Sequence, residues 1–258
     1  MKLQILSDLH LETEHFRPHP APGAELLVLA GDIDTTWAAL RHFDDWPVPV
    51  LMVAGNHEFE GRELTTAWPA LRERCAASGI RLLQREAVVL TDAASRRVRF
   101  VGATRWSDFD LFGERGRAKA ERAAGYFLRH AGTLLDGRPL DAAAVRTQAQ
   151  GCRAWLETEL ARPDRDGWDA TVVITHYAPS VRSADPRYGR QPGTASFCNA
   201  DDDLIPRADL WIHGHLHCRH DYRVERPGKT PTRVVCQARG HAEKGECAHY
   251  DGTRLFDA

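Results

Sequence analysis

Lysine is scarce in this 258-residue chain: of 34 basic residues only Lys2, Lys119, Lys229 and Lys244 are lysine. The arginine excess reads mainly as compositional bias, although guanidinium groups suit phosphate recognition. Neither sign of charge dominates. The 34 basic and 36 acidic residues leave a net charge of −2, so nothing marks the chain for duplex DNA or an anionic membrane. No apolar run approaches the ~18 residues of a membrane helix. Lys2–Ser7 already reads as a strand, so no leader is expected. The six cysteines (Cys75, Cys152, Cys198, Cys218, Cys236 and Cys247) include no C-x-x-C pair. That argues against a structural zinc site or a thioredoxin-type motif, and leaves reduced thiols in the cytoplasm as the expectation. A Gly-x-Ser-x-Gly elbow and a glycine-rich lysine loop are also missing, which removes the usual signs of a serine nucleophile or a triphosphate cradle.

What is present is an ordinary globular composition, 43% hydrophobic and 27% charged, in a chain long enough for one substantial core. A single domain over residues 1–258 is expected. Lys2–Ser7, Glu25–Ala30 and Val48–Ala54 read as strands, the second continuous enough to be buried on both faces. Helical patterns cover Thr35–Asp44, capped by Asp34 or Thr35, and Glu63–Ser78, stopped by Gly79. This order predicts parallel βαβ units. Ile80–Gln84, Ala87–Thr91 and Arg97–Ala103 read as short strands of a meander or mixed sheet. Arg115–Ala131 and Asp141–Leu160 read as helices on either side of a turn at Asp136–Pro139, and Arg162–Gly167 as a polar loop. Thr171–Thr175 and Asp209–Ile212 are buried strands. Asp221–Glu225 and Arg233–Gln237 suggest a late hairpin over Pro227–Gly228. Ala178–Pro206 is long and aperiodic, as functional or disordered connections are.

Five strands end in polar side chains, where ligands bind in parallel sheets. The residues are Asp8 and His10, Asp32, Asn56 and His57, His176, and His215 with His217. Carboxylate, carboxamide and imidazole together suit first-row metals such as Mn, Fe, Co or Zn. The set lacks the thiolates of structural zinc and the carboxylate excess of calcium. In an extended backbone His215 and His217 point to one side, with Cα atoms about 6.6 Å apart at roughly 3.3 Å per residue. They could share one ion through bonds of about 2.0–2.1 Å, or each take one ion of a pair about 3.5–4 Å apart.

The series Asp8-x-His10, Gly31-Asp32, Gly55-Asn56-His57-Glu58, His176 and Gly214-His215-Leu216-His217 resembles the calcineurin-like metallophosphoesterase family. All five blocks occur in the family's order, without substitution, from residue 8 to residue 217. The resemblance implies an α/β/β/α sandwich with two mixed sheets packed face to face and helices outside, residues 105–160 being a helical insertion. It implies two divalent ions, Mn first with Fe, Zn, Co and Ni as alternatives. Asp8, His10 and His217 would bind one ion, Asn56, His176 and His215 the other, and Asp32 both. His57 would face the phosphate instead, since in an extended segment it points away from Asn56. The implied reaction is hydrolysis of a phosphodiester or phosphomonoester by a metal-bridging hydroxide. A nuclease is the alternative within the fold, although the net charge does not indicate nucleic acid, and a non-catalytic scaffold is a third reading. Oligomeric state is not legible.

Substrate choice falls to the loops. Arg105 is a candidate phosphate contact, and Trp106 and Phe109 either stack on a base or sugar or fill the core beneath the insertion. Residues 182–197, with Arg182, Arg187, Tyr188 and Arg190, form either an arginine-bearing lid or a solvated loop. His213 either orients a ligand or packs. Cys218 reads as structural, and His220, His241 and His249 as ordinary surface or loop histidines. Because the ligand histidines must be neutral, metal affinity is expected to fall below about pH 6.

Overall fold

Alternation of buried side chains on the strands fixes the architecture. In the computed structural model, residues 1–163 and 167–258 are described. The loop expected at Arg162–Gly167 lies partly outside them. Strands β1 (Lys2–Leu6), β2 (Leu26–Ala30), β3 (Val50–Val53) and β4 (Ile80–Leu82) run parallel. Helix α1 (Leu64–Ala77) lies between β3 and β4. Its cap is Glu63, whose carboxylate accepts the Thr65 N–H. Then come the hairpin of β5 (Glu86–Thr91) with β6 (Arg97–Ala103), helix α2 (Glu114–Ala131), and a two-residue pair, β7 (Leu134–Leu135) with β8 (Arg138–Pro139). Helix α3 (Ala142–Leu160) follows, capped by Asp141 on the Ala144 N–H as expected. Strands β9 (Ala170–Thr175) and β10 (Leu210–His213) precede the hairpin of β11 (His220–Arg226) and β12 (Lys229–Cys236), and β13 (Leu255–Asp257) closes the order.

Two large mixed sheets result. The first is ordered β13-β1-β2-β3-β4, with only β13 antiparallel. The second is ordered β11-β12-β10-β9-β6-β5, parallel at its centre and antiparallel at both edges. On β2, Leu26, Val28 and Ala30 face Phe100, Val172, Ile174 and Ile212 of the other sheet in one apolar cluster. Leu27 and Leu29 join Leu71 and Cys75 of α1 on the outer side. Trp211 and Val173 pack with Leu156 and Leu160 of α3 on the far side of the second sheet. Helix, sheet, sheet, helix is the layering that period-two strands buried on both faces require. Among the described residues no helix is long and apolar enough to cross a membrane.

Three local expectations change. The α-helix over Thr35–Asp44 is a 3-10 helix at Ala38–Phe43. The Asp34 carboxylate takes the N–H groups of Thr36 and Ala39 at 2.8 and 2.6 Å, and Trp37 turns left-handed at φ 64°. Side-chain bonds of this kind compete with the helix. Ile80–Leu82 joins the first sheet beside β3, not the meander with β5 and β6. The third concerns Arg105 and Trp106. Arg105 turns inward after β6 at φ 52° and is fully buried. It donates to Asp201 at 2.9 and 2.8 Å and to Asp108 at 2.7 Å. Trp106 packs in the core between Phe59 and Tyr177, and Phe109 is buried with it. Neither Arg105 nor Trp106 offers a surface to substrate: the phosphate contact expected of Arg105 is corrected to a buried ion pair, and the core alternative holds for Trp106.

Breaking a buried pair leaves an uncompensated charge. Arg105→Ala leaves Asp201 with Arg153 as its one guanidinium partner and removes the guanidinium from Asp108, and is expected to lower the unfolding free energy by about 3–5 kcal/mol, read from urea unfolding curves. A loss of less than about 1 kcal/mol, the range of exposed pairs, would show the network to be dispensable.

Candidate metal centre

Every strand-end residue singled out above reaches one place. Asp8 and His10 follow β1, Asp32 follows β2, Asn56 to Glu58 follow β3, His176 follows β9, and His215 and His217 follow β10. The chain turns sharply there. Asp8, His10, Asp32, His215 and His217 are left-handed, with φ of 52°, 46°, 53°, 72° and 50°. Asp and His tolerate this region better than most residues. The extended geometry assumed for His215 and His217 therefore does not hold: β10 ends at His213, and the two imidazoles diverge. His215 packs against Tyr177 and Phe197, with its Nε2 3.2 Å from the Ser196 carbonyl. His217 meets His10, Nε2 to Nε2, at 3.0 Å. Asn56 is likewise helical, at φ −80° and ψ −31°, and His57 opens a 3-10 turn. His57 remains 30% exposed, with its Nε2 3.9 Å from Asp32 Oδ2 and its Nδ1 3.3 Å from Glu60.

Hydrogen bonds across the two sheets set these side chains. His176 Nδ1 donates to the Ala30 carbonyl at 2.9 Å. A carbonyl can only accept, so this nitrogen carries the proton and Nε2 faces Asp32 Oδ2 at 3.1 Å. Asp8 Oδ1 accepts the His215 N–H at 2.8 Å, and Asp32 Oδ1 accepts the His57 N–H at 2.9 Å. The buried Glu58 carboxylate accepts from the N–H groups of Asp32, Ile33 and Gly55 at 3.0, 2.7 and 2.6 Å. Gly31, at φ +89°, lets this happen: a Cβ there would lie 2.7 Å from the Gly55 nitrogen.

The electrostatics follow from burial and proximity. Burial pushes the Asp32 carboxyl up, but His176, His57 and His10 overcome it and hold the group well below the usual carboxylate range. Burial opposes charge on His10 and His176, yet Glu12 and Asp32 for the one, and Asp32 for the other, raise both to about 9. His215 goes the other way, depressed by burial and by neighbouring His176. Burial and the Asp32 charge push Glu58 up to about 7.

Two donor groups share Asp32: Asp8, His10 and Asp32 form one, and Asp32, His176 and His215 the other. Within each, one ligand atom per residue lies within 4.8 Å of the rest. Asp8 Oδ2 and Asn56 Oδ1 are buried and make no hydrogen bond, and His176 Nε2 meets the Asp32 carboxylate. Buried polar atoms are rarely left without a partner, and oxygen donors of this kind beside imidazoles fit divalent first-row ions. Two nitrogens 3.0 Å apart are also spaced as neighbouring donors on one ion with bonds of about 2.0–2.1 Å.

Other residues fall differently. His213 is buried, with its ring nitrogens 3.0 Å from Ser183 Oγ and 3.0 Å from the Gly214 carbonyl. Burial lowers it to about 3, and its contacts fit the packing alternative. Cys218 is a free thiol. Arg182 lies over Tyr222 and donates to the Arg223 carbonyl. Arg187 is held by Asp185 and lies 3.8 Å from Glu246. His241, taken from the sequence as an ordinary loop histidine, stacks on His10 at 4.5 Å and lies 5.0 Å from His217, ring to ring. Glu12, 3.4 Å from His10 Nδ1, could have been read from its alternation with Asp8 and His10. Nothing local marks His241 or Glu246.

The family model described as calcineurin-like phosphoesterase matches residues 1–219. No curated protein matches the sequence significantly. Among solved structures, the phosphopantetheinyl hydrolase of Mycobacterium tuberculosis is similar over 98% of this chain and 94% of its own, at 17% identity and a TM-score of 0.75. A putative 5′-nucleotidase from Staphylococcus aureus is similar over 91% of this chain but 48% of its own, at 14% identity and TM-score 0.52. A dimetal phosphatase from Danio rerio is similar over 92% and 86%, at 12% identity and TM-score 0.51.

The raised histidines move the expected pH window. Without metal, His10 and His176 keep their protons to about pH 9, and an ion must displace them. Apparent metal affinity should therefore climb with pH throughout the interval below about 9, with proton release on binding. Calorimetric titration in buffers of different ionisation enthalpy measures both. Affinity that is level across that interval would contradict the assignment.

Proposed function

The chain belongs to the calcineurin-like phosphoesterase family, and on that premise we propose that the strand-end cluster holds two divalent ions and hydrolyses a phosphodiester or phosphomonoester. Asp8, His10 and His217 hold one ion, Asn56, His176 and His215 the other, and Asp32 both. The observation that carries the reading is the presence of Asp32 in both donor groups. Manganese is the first choice, with Fe, Zn, Co or Ni fitting the same mixed oxygen and nitrogen donors.

Bound there, the ions supply positive charge for the phosphoryl oxygens and lower the pKa of water toward about 7. The protein does the rest. Two carboxylates, Asp8 and Asp32, do not neutralise two divalent ions, so an anionic ester is drawn in. His176 and His215 are held by the Ala30 and Ser196 carbonyls, and Asp32 by the His57 N–H and the Glu58 carboxylate. His57 is the member with an open flank. Glu60 orients its ring from 3.3 Å, and it gives a proton to the departing oxygen. Of the loop arginines, Arg187 is 51% exposed beside Glu246 and suits a second anionic group of the substrate, with Arg182 further along the rim. A phosphopantetheinyl ester is one substrate to test, given the neighbour of that name. The chain acts as one domain with a helical insertion at 105–160, in the cytoplasm.

Two substitutions separate the roles. Asp32→Ala should lose both ions by elemental analysis and all activity on chromogenic mono- and diesters. His57→Ala should keep both ions while kcat falls about 10²–10⁴-fold, the usual contribution of a proton donor. An Asp32→Ala protein with unchanged metal content and rate would sink the proposal.

A further inference from the structure

The match to the family ends at residue 219, yet a later segment reaches the centre. Glu246 Oε2 lies 2.8 Å from His217 Nδ1 and accepts the His241 N–H at 2.9 Å. A carboxylate has no proton to give at neutral pH, so His217 Nδ1–H is the donor and Nε2 is the nitrogen turned toward His10. The segment is fastened from several sides. Arg239 and Gly240 donate their N–H groups to the Ser7 and Asp8 carbonyls at 3.1 and 3.0 Å. The Arg239 guanidinium bonds Glu14 at 2.7 Å. Arg219 donates to the Glu246 carbonyl at 3.0 Å. Gly240, at φ +70°, permits the approach: a Cβ there would lie 2.7 Å from Glu246 Cβ, 2.8 Å from its Oε2 and 3.0 Å from His217 Cβ. The Glu246 side chain is only 8% exposed, so its closeness to His217 is built into the packing.

We propose that Glu246 is a positioning residue for this reaction: it fixes the tautomer and ring angle of His217, and so tunes the ion that His217 shares with Asp8 and His10. The inference rests on the two-ion reading above. A carboxylate behind a metal-binding imidazole raises its basicity and orients it, and removing such a partner typically costs about 10–100-fold in metal affinity. The segment 239–246 thus completes one half of the centre, while the His176 and His215 half is held by backbone carbonyls.

The test uses the full chain as wild type, Glu246→Ala and Glu246→Gln, the last keeping an acceptor oxygen without the charge. Calorimetric Mn²⁺ titration should show one ion of two weakened about 10–100-fold in Glu246→Ala, the other unchanged, and most of the loss restored in Glu246→Gln. Nitrogen-15 NMR of the metal-free proteins should show an exchange-protected His217 Nδ1–H in wild type and Glu246→Gln that vanishes in Glu246→Ala. Thermal melts confirm that the variants fold. Equal loss at both ions, no loss in Glu246→Ala, or a Glu246→Gln as weak as Glu246→Ala would overturn the proposal. If wild type binds neither Mn²⁺ nor Fe²⁺, Zn²⁺, Co²⁺ or Ni²⁺, the two-ion reading fails, and the NMR signal still decides whether Glu246 holds His217.

Discussion

The bond from His176 Nδ1 to the Ala30 carbonyl joins the last turn of one sheet to the last residue of a strand in the other. Its counterpart runs the same way, from the His215 N–H after β10 to Asp8 Oδ1 after β1. Donor atoms for metal ions must lie within a few tenths of an ångström of their places, and loops alone hold such tolerances poorly. Here the tolerance comes from two sheets whose facing side chains, among them Ile5, Val28, Phe100 and Ile174, are fully buried. A close-packed interior does not slide. The apolar seam therefore fixes where the strands end, and the two crossing bonds convert that into the orientation of the His176 imidazole and the Asp8 carboxylate.

Concentrating the donors works against stability. Left-handed backbone at a residue other than glycine costs on the order of 1–3 kcal/mol, and five donors adopt it. Asp8, His10, Asp32 and His176 are buried together, and burial opposes each charge. The cluster persists because the charges are mixed. Asp32 is kept ionised by His176, His57 and His10, and in turn raises His10 and His176. Glu58 shows the limit of this mutual support. Facing backbone N–H groups, it is pushed up to about 7 by burial and by Asp32. The region gathers donors that could hold a cation, at the expense of local stability.

How much of this was legible in the sequence depended on range. Buried strands show as apolar runs, so β1, β2, β3, β9 and β10 could be read directly. The donors follow them within a few residues, so their convergence could be read as well. Their backbone could not: His215 and His217 are left-handed, and the Asp8 and Ser196 partners of His215 come from far along the chain. The Thr35–Asp44 segment failed for a related reason, since Asp34 captured N–H groups that a helix would have used. Arg105 reads as a phosphate contact because nothing near it in sequence announces Asp201. His241 and Glu246 had no local signal at all. They matter only through the fold, which returns the chain to the end of β1 after β12.

That return divides the labour of the centre in a way the motif order conceals. The motifs specify donor types and place them at strand ends. Orientation comes from atoms outside them: the Ala30 and Ser196 carbonyls for His176 and His215, Glu12 for His10, and Glu246 for His217. Backbone carbonyls belong to the fold and survive side-chain change. Carboxylates do not. The half of the site built on His176 and His215 is thus fixed by the architecture, whereas the half built on His10 and His217 is adjustable by substitution at Glu12 and Glu246. Glu246 also lies 3.8 Å from Arg187 in the loop after β9. The side of the cluster adjustable by substitution is therefore the one in contact with the loop that carries Arg187.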